Sequence, residues 1–263
     1  MKFLFAILFS IIIPVYSHSS EGVISQDILN NLSNKKILLA GATGNNGRHI
    51  LSLLEDLDVD FRAMSRNINK ASKKFGNQYD WVQGDVTKPD TLINAVEGID
   101  IVISAVATKM PFGNNSSERV DYLGAVNLIN ASKEAGVKRY IIITSSSSGV
   151  KDHFLNTIFN NMLLWKAKAE KYLVNSGLEY VVICPSVIND NPGGKKMINL
   201  IPRPSYEDGM KITRADLATV VVVAAGHSYS LNKVFTVINE EKNYSNLWTQ
   251  GFKNMPEVLN LPN

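Results

Sequence analysis

The sequence predicts an α/β fold, in which helices cover both faces of a doubly wound parallel sheet. Apolar runs of strand length alternate with helical patterns along the chain. Two central runs, residues 101–106 and 140–143, are apolar without alternation, as expected of strands that are covered on both faces. With 263 residues and 45% hydrophobic content, the chain can bury one sizeable core. We therefore expect one domain.

The strands are predicted in chain order at residues 36–40, 60–64, 80–83, 101–106, 140–144, 179–184 and 234–238. Residues 189–210, which include Pro, Gly and Lys, are predicted to form one long loop and a candidate lid over a ligand. An apolar helix then runs to about Ala225. Thr213 and Asp216 are interpreted as residues that cap this helix rather than as catalysts.

A glycine-rich turn, Gly41-Ala42-Thr43-Gly44-Asn45-Asn46-Gly47, follows the first strand and precedes a helix predicted to extend to about Asp56. Gly41, Gly44 and Gly47 suit a sharp bend, a close approach of the backbone to a pyrophosphate, and tight packing of the helix on its strand. The helix N-terminus then offers N–H groups to phosphate. An ordinary glycine-rich loop is the alternative, but strand, turn and helix follow in the order that a dinucleotide site requires.

The end of the second strand indicates which dinucleotide is bound. Folds specific for NAD usually place a carboxylate about 20 residues past the glycines, whereas this chain has Ser65-Arg66 there. A guanidinium can pair with the 2′-phosphate of NADP, and a serine can donate a hydrogen bond to it. The sequence therefore favours NADP over NAD, with an ordinary surface loop as the alternative reading of Arg66. Arg62, in the middle of the strand, is a poorer candidate.

Ligands of such a Rossmann-like sheet lie at the carboxyl ends of its strands. We expect the ends of the third to sixth strands to converge with the glycine turn. Asp85 is interpreted either as an acceptor for the adenine amino group, with Val86 covering the ring, or as a turn residue. The residues predicted to bind the cofactor on these grounds are Gly41, Thr43, Gly44, Asn45, Asn46, Gly47, Ser65, Arg66, Asp85, Val86, Ala105, Val106, Ala107 and Pro185.

Over residues 35–240 the chain resembles the atypical short-chain dehydrogenase/reductases, specifically the NmrA-like NAD(P)-binding group. The resemblance depends on the glycine turn and on segments 84–86, 120–127, 135–140 and 176–180. It implies a catalytic serine after the fifth strand, best matched by Ser146, and Lys166 as a catalytic residue that also holds the nicotinamide ribose. It also implies a small C-terminal region on the substrate side.

The tyrosine that the family uses as an acid is replaced by Met162, four residues before Lys166. A thioether cannot donate a proton, so carbonyl reduction of the usual kind is in doubt. A solvated helix lysine is the alternative for Lys166, and for the serines at 145–148 the alternative is a loop that binds only backbone groups. His153, just past the serine loop, is a weaker acid/base candidate.

These residues lead to two hypotheses. The first is an NADP(H)-dependent oxidoreductase that reduces a flavin, quinone or other conjugated acceptor without the usual tyrosine. The alternative is a non-enzymatic NADP(H)-binding sensor, or an assembly or regulatory factor. A small-molecule substrate or a regulatory protein is the expected partner. Nucleic acid is not expected because the net charge of +3 is small and scattered, and no metal site is predicted.

The N-terminus has the pattern of a signal peptide, with Lys2, an apolar run over residues 3–13 and small residues before position 18. We expect a signal peptide at 1–17, a linker or short helix at 18–34 and the nucleotide-binding domain at 35–263. This predicts the secretory route, and membrane attachment only if the segment is uncleaved. Cys184, the one cysteine of the sequence, is expected to pack as a small apolar residue.

Overall fold

A computed structural model describes residues 24–108, 110, 112–203 and 209–258 of the chain. The predicted signal peptide and the first part of the predicted linker lie outside these residues. The strands are β1 Ile37–Ala40, β2 Phe61–Ser65, β3 Asp80–Gln83, β4 Ile101–Ser104, β5 Arg139–Ile143, β6 Glu179–Pro185, β7 Val187–Asn189, β8 Lys196–Pro202, β9 Lys211–Thr213 and β10 Lys233–Asn243. The α-helices are α1 Gln26–Leu32, α2 Gly47–Asp56, α3 Ile68–Phe75, α4 Ile93–Val96, α5 Ala125–Glu134, α6 Phe154–Ile158, α7 Met162–Val174, α8 Arg214–Gly226 and α9 Gly251–Asn254.

The main sheet has eight strands in the order β3-β2-β1-β4-β5-β6-β10-β8. Each neighbouring pair is parallel except β10 and β8, which are antiparallel. The first six strands have the Rossmann order, in which the direction of winding changes between β1 and β4. The predicted Rossmann-like α/β fold is therefore confirmed.

Two hydrophobic clusters lie on opposite faces of this sheet. Leu38 and Leu39 are adjacent in β1 and fully buried, yet they belong to different clusters because successive strand side chains point to opposite faces. The Leu39 cluster includes α1, α2 and α8, and the Leu38 cluster includes α5 and α7. In the described ranges, no helix has the length and apolar character needed to cross a membrane.

The segment 189–210 is not one long loop, so that prediction was wrong. It contains β8, which pairs with β10 over most of its length, and β9 follows directly and pairs with β7. Ile198 and Leu200 are buried, whereas Lys196 is exposed, which is the alternation of a half-buried strand. The Pro, Gly and Lys residues around this short strand are typical of loops, which is why the sequence did not predict it. Residues 204–208 lie outside the described part of the chain.

Residues 24–34 belong to the folded domain and not to a linker. Ile28 and Leu32 of α1 are buried in the core cluster that contains α8. The Asn31 side-chain amide donates a hydrogen bond to the Gly226 carbonyl at 2.9 Å, at the end of α8. The alternative of a short helix is thus the correct one for this part of the segment, because packing on α8 buries its apolar face.

Candidate nucleotide-binding site

A cleft of about 540 Å³ lies at the carboxyl ends of β1 to β4. Its size is in the range of small-molecule and cofactor sites. Among its lining residues are ten that the sequence predicted to bind the cofactor, namely Gly41, Thr43, Gly44, Ser65, Arg66, Asp85, Val86, Ala105, Val106 and Ala107. Residues 105–107, which follow β4, contribute to this lining. Residues 105 and 106 were predicted to be part of the strand, but β4 ends at Ser104.

The glycine turn folds tightly at the top of β1. Gly41 has a φ of +83°, and a side chain there would place its Cβ 2.8 Å from the Ala105 carbonyl. A Cβ at Gly47 would lie 2.0 Å from the Gly41 carbonyl oxygen. Within the described residues, no backbone carbonyl accepts a hydrogen bond from the N–H groups of Asn45, Asn46 or Gly47. These three residues do not line the cleft, but their N–H groups remain available to a phosphate at the start of α2.

One end of the cleft is cationic. Arg66, Lys70 and Lys74 line it, and Arg66 also donates to the Asn115 side-chain oxygen at 3.3 Å. The spacing of four residues between Lys70 and Lys74 could have indicated these two lysines from sequence, since it places their side chains on one side of α3. Ser65 Oγ donates to the Asn67 carbonyl and accepts from its N–H, both at 3.2 Å.

Arg62 takes no part in this cationic end. Its Nε donates to Asp80 at 3.1 Å, and its Nη1 donates to backbone carbonyls at the end of α4. These contacts hold the guanidinium between β3 and α4. Arg62 is therefore a structural residue, in agreement with its position in mid-strand.

Asp85 takes the turn role, and its role as an acceptor for the adenine amino group stays a prediction. Its Oδ1 accepts hydrogen bonds from the Thr87 N–H at 3.0 Å and the Thr87 hydroxyl at 2.8 Å, which is a turn role. Asp85 also lines the cleft, where it is the one carboxylate among the described lining residues. The neighbouring Val86 is fixed by Asn127, whose amide donates to the Val86 carbonyl at 2.9 Å. Gly124 leaves room for the Val86 side chain, since a Cβ there would lie 2.6 Å from it.

Lys166 is a buried cation and not a solvated helix lysine. Its Nζ lies 2.8 Å from Asp121 Oδ1, and the two side chains are 9% and 1% exposed. Asp121 belongs to a π-helix, Glu118–Gly124, which leads directly into α5. A small pocket of about 10 Å³ adjoins the pair. Val86, Val106 and Val120 line both this pocket and the cleft, so the ion pair adjoins the cleft.

The structure does not bring Ser146 and Pro185 into either of these two cavities. The Ser146 N–H donates to the Pro185 carbonyl at 2.9 Å, which continues the pairing of β5 with β6 beyond the strand end. The predicted convergence of the fifth and sixth strand ends with the glycine turn is therefore not observed in the cleft. His153 caps α6, where its Nδ1 accepts from the Leu155 N–H at 3.2 Å. Met162 begins α7 and is partly exposed.

A second buried cluster, which the sequence did not indicate, surrounds Cys184. Arg203 Nη1 donates to Glu170 Oε2 at 2.8 Å and to Cys184 Sγ at 3.0 Å, and its Nη2 donates to the Ser148 carbonyl at 2.6 Å. Burial, followed by the Glu170 carboxylate, raises the pKa of the Cys184 thiol to about 12. Cys184 is fully buried in the hydrophobic cluster on its face of the sheet, as expected, and it also contacts the polar Arg203–Glu170 pair. Among the described side chains, no group of three His, Cys, Asp or Glu residues could hold a metal ion.

Comparisons with known proteins agree with this geometry. The sequence model of a family described as NAD(P)H-binding matches residues 41–228. An uncharacterized chloroplastic protein of Arabidopsis thaliana is 32% identical over 72% of this chain, although the match covers only 64% of that protein. A sanguinarine reductase of Eschscholzia californica is 31% identical over 77% of this chain and 89% of its own length.

Solved structures show the same fold. A Bacillus halodurans protein described as a NAD-dependent epimerase/dehydratase superposes with a TM-score of 0.72. The match covers 84% of this chain and 99% of that protein, at 23% identity. At this identity the likeness concerns the fold alone.

Proposed function

Because the chain belongs to the NAD(P)H-binding family, we propose that it is an NADP(H)-dependent reductase of the atypical short-chain dehydrogenase/reductase type. The family match and the cleft establish the coarser point, a nicotinamide dinucleotide cofactor. The choice of NADP and the class of acceptor are our inferences.

The observation that carries the choice of NADP is the charge at one end of the cleft. Arg66, Lys70 and Lys74 line it together with Ser65, whereas NAD-specific sites place a carboxylate after β2. A 2′-phosphate carries about two negative charges at neutral pH, as phosphate monoesters do. Three cations suit that group, and the adenine would then lie beside Asp85 and Val86.

The class of acceptor follows from Met162. When bound, NADPH supplies a hydride. A ketone or aldehyde also needs a proton donor near its oxygen, and Met162 cannot be one. A flavin, a quinone or another conjugated ring delocalises the negative charge that it gains, and water can protonate it. The naming of a relative at 31% identity as a reductase supports this class of reaction. On this proposal Lys166 holds the cofactor, and a role for Ser146 remains a prediction.

Two measurements test the proposal. Calorimetry with NADPH and NADH should show tighter binding of NADPH, and equal affinities would remove the cofactor assignment. Steady-state NADPH oxidation is then measured against flavins, quinones and simple carbonyl compounds. Turnover should appear with conjugated acceptors and not with the carbonyl compounds. Tight NADPH binding without turnover of any acceptor would exclude the reductase.

That last outcome would favour the second candidate, an NADP(H)-binding sensor or an assembly or regulatory factor with a protein partner. Met162 is the observation that favours it, because the substitution removes the usual acid but leaves the cleft intact. In that case cofactor occupancy would change the affinity for the partner. A pull-down with and without NADPH would detect the difference.

We propose further that residues 1–17 are a cleaved targeting segment for the secretory route, ending in a compartment that contains NADP. The charged, apolar and small-residue regions of this segment support a targeting function. The Arabidopsis relative, which is described as chloroplastic, supports targeting in general but not this route. N-terminal sequencing of the mature protein should start near residue 18, and an intact Met1 would contradict cleavage.

A further inference from the structure

The order of the strands separates the two ends of a dinucleotide bound in the cleft. The glycine turn follows β1, with β2 and β3 on one side of it and β4 and β5 on the other. The cationic end, with Arg66 and Lys70, belongs to the side of β2 and β3. If the 2′-phosphate lies there, the nicotinamide ribose must extend past the end of β4 towards β5.

Lys166 lies on that second side. It shares the small pocket with Ser104 at the end of β4 and with Ile143 and Thr144 at the end of β5. Lys166 is the one cation among the described residues that line this pocket. An ammonium group has three donors and can therefore bond to a carboxylate and to ribose hydroxyls at the same time.

Asp121 is the partner that fixes the Lys166 ammonium. Both side chains are almost fully buried, so their charges are poorly screened by solvent. Separating the two charges would therefore be strongly destabilising. The two residues are 45 positions apart and come from the π-helix and from α7. A π-helical turn is a rare conformation that is frequent at functional sites.

One oxygen of this carboxylate is not explained by the ion pair. Asp121 Oδ2 is buried and has no hydrogen-bond partner among the described groups. A buried acceptor without a partner is destabilising, so a fold does not retain one without compensation. Asp121 lines the small pocket, whose other polar residues are Ser104, Thr144 and Lys166.

We propose that Asp121 is the positioning residue that holds Lys166 at the nicotinamide-ribose end of the nucleotide site. In this chain the carboxylate, and not a tyrosine hydroxyl, is the group that the ammonium is paired with. Lys166 is then held at the ends of β4 and β5, where it can donate to the ribose hydroxyls. The inference rests on the proposed NADP(H) function and deepens it.

The experiment compares two ligands by calorimetry. NADPH fills the whole site, whereas adenosine 2′,5′-bisphosphate has the adenosine and the 2′-phosphate but no nicotinamide ribose. Asp121→Asn and Lys166→Met should each weaken NADPH by about tenfold, the value of one hydrogen bond to a charged group. Binding of the bisphosphate should stay within about twofold of wild type, because its contacts are at the other end of the site.

A double variant shows whether Asp121 acts through Lys166. In the Lys166→Met background, Asp121→Asn should cause no further loss of NADPH affinity. Asp216→Asn is the matched control, since Asp216 is also a buried carboxylate but lines neither cavity. It should lower the melting temperature and leave the ratio of the two affinities unchanged.

The possible failures are distinguishable. Equal weakening of both ligands by Asp121→Asn, no weakening of NADPH, or a loss that persists in the Lys166→Met background would each overturn the inference and leave the proposed function standing. Wild-type protein that binds neither ligand would overturn both. If Asp121→Asn does not fold, Asp121→Glu keeps the charge and displaces it by one methylene. That variant should weaken NADPH more than the bisphosphate, and an equal effect on both would refute the positioning role.

Discussion

Replacing Gly47 by alanine tests the geometry of the glycine turn most directly. The Cβ would lie 2.0 Å from the Gly41 carbonyl oxygen and 2.9 Å from the Ala42 Cα. Both are backbone atoms, so no side-chain rotation can relieve the contact. Gly47 does not have a positive φ, and the cost is therefore steric and not conformational. Inserting a carbon into a well-packed site costs about 1–3 kcal/mol, and we expect the upper end of this range.

In a domain of this size, a loss of about 3 kcal/mol lowers the melting temperature by roughly 6–12 °C. The assay is thermal unfolding of the protein without ligand, paired with calorimetric titration of NADPH. NADPH affinity should fall along with stability, because the start of α2 must move away from β1. The helix-forming preference of alanine over glycine, at most about 1 kcal/mol, offsets only part of the cost.

Gly44→Ala is the matched control for this prediction. Its Cβ would meet one described atom within 4 Å, the Gly41 carbonyl oxygen at 3.1 Å, and Gly44 lines the cleft. This variant should keep a melting temperature close to that of wild type and still lose NADPH affinity, because the added methyl occupies space beside the ligand. A Gly47→Ala protein with an unchanged melting temperature would refute the packing that we derive for the turn.

Three further outcomes are expected. Arg66→Ala should weaken NADPH binding by about tenfold, through the loss of one charge-assisted contact, and leave NADH binding unchanged. Lys73→Ala is the control, since Lys73 is on the same helix as the cleft lysines but outside the cleft, and it should change the affinity for neither cofactor. Equal effects of Arg66→Ala on both cofactors would contradict the assignment. Thr213→Ala removes the hydroxyl that caps α8 and should cost about 1 kcal/mol in chemical denaturation, whereas Thr219→Ala, within the helix, should cost less. Cys184, with its pKa raised to about 12, stays a thiol at pH 8, so a thiol reagent should modify it only after unfolding, and rapid modification of the native protein would contradict its burial.

The sequence predicted the fold and the glycine turn well because both depend on local properties. Runs of apolar residues predicted the ends of β1 to β6 to within two residues, whereas β10 extends to Asn243, well beyond its predicted end at residue 238. The role of each of the three glycines in the turn could be predicted separately, because its backbone conformation or close contact depends on only a few neighbouring atoms. The prediction of a long loop failed at β8, a short strand at the edge of the sheet that begins at Lys196 and ends at Pro202. Such an edge strand is stabilised by β10, and the sequence around it gives no sign of that partner.

The site was predictable in part for the same reason. Arg66 and Asp85 follow strands, and the carboxyl ends of parallel strands meet at one edge of a sheet. The sequence could not show which strand ends share the cleft. Ser146 and Pro185 follow strands too, but they pair with each other through the backbone and lie outside it.

The sequence by itself thus determined the class of fold, the place of the glycine turn and the replacement of the family's proton-donating tyrosine by Met162. Each of these follows from residues that are close together in the chain. The tertiary structure decided what becomes of the buried charges. Lys166 meets Asp121 across 45 residues, and Arg203 meets Glu170 across 33. A charge is buried only where a partner from another element reaches it, so these pairs are a property of the packed chain. The structure also shows that the glycine turn forms one wall of a cleft that has a cationic end.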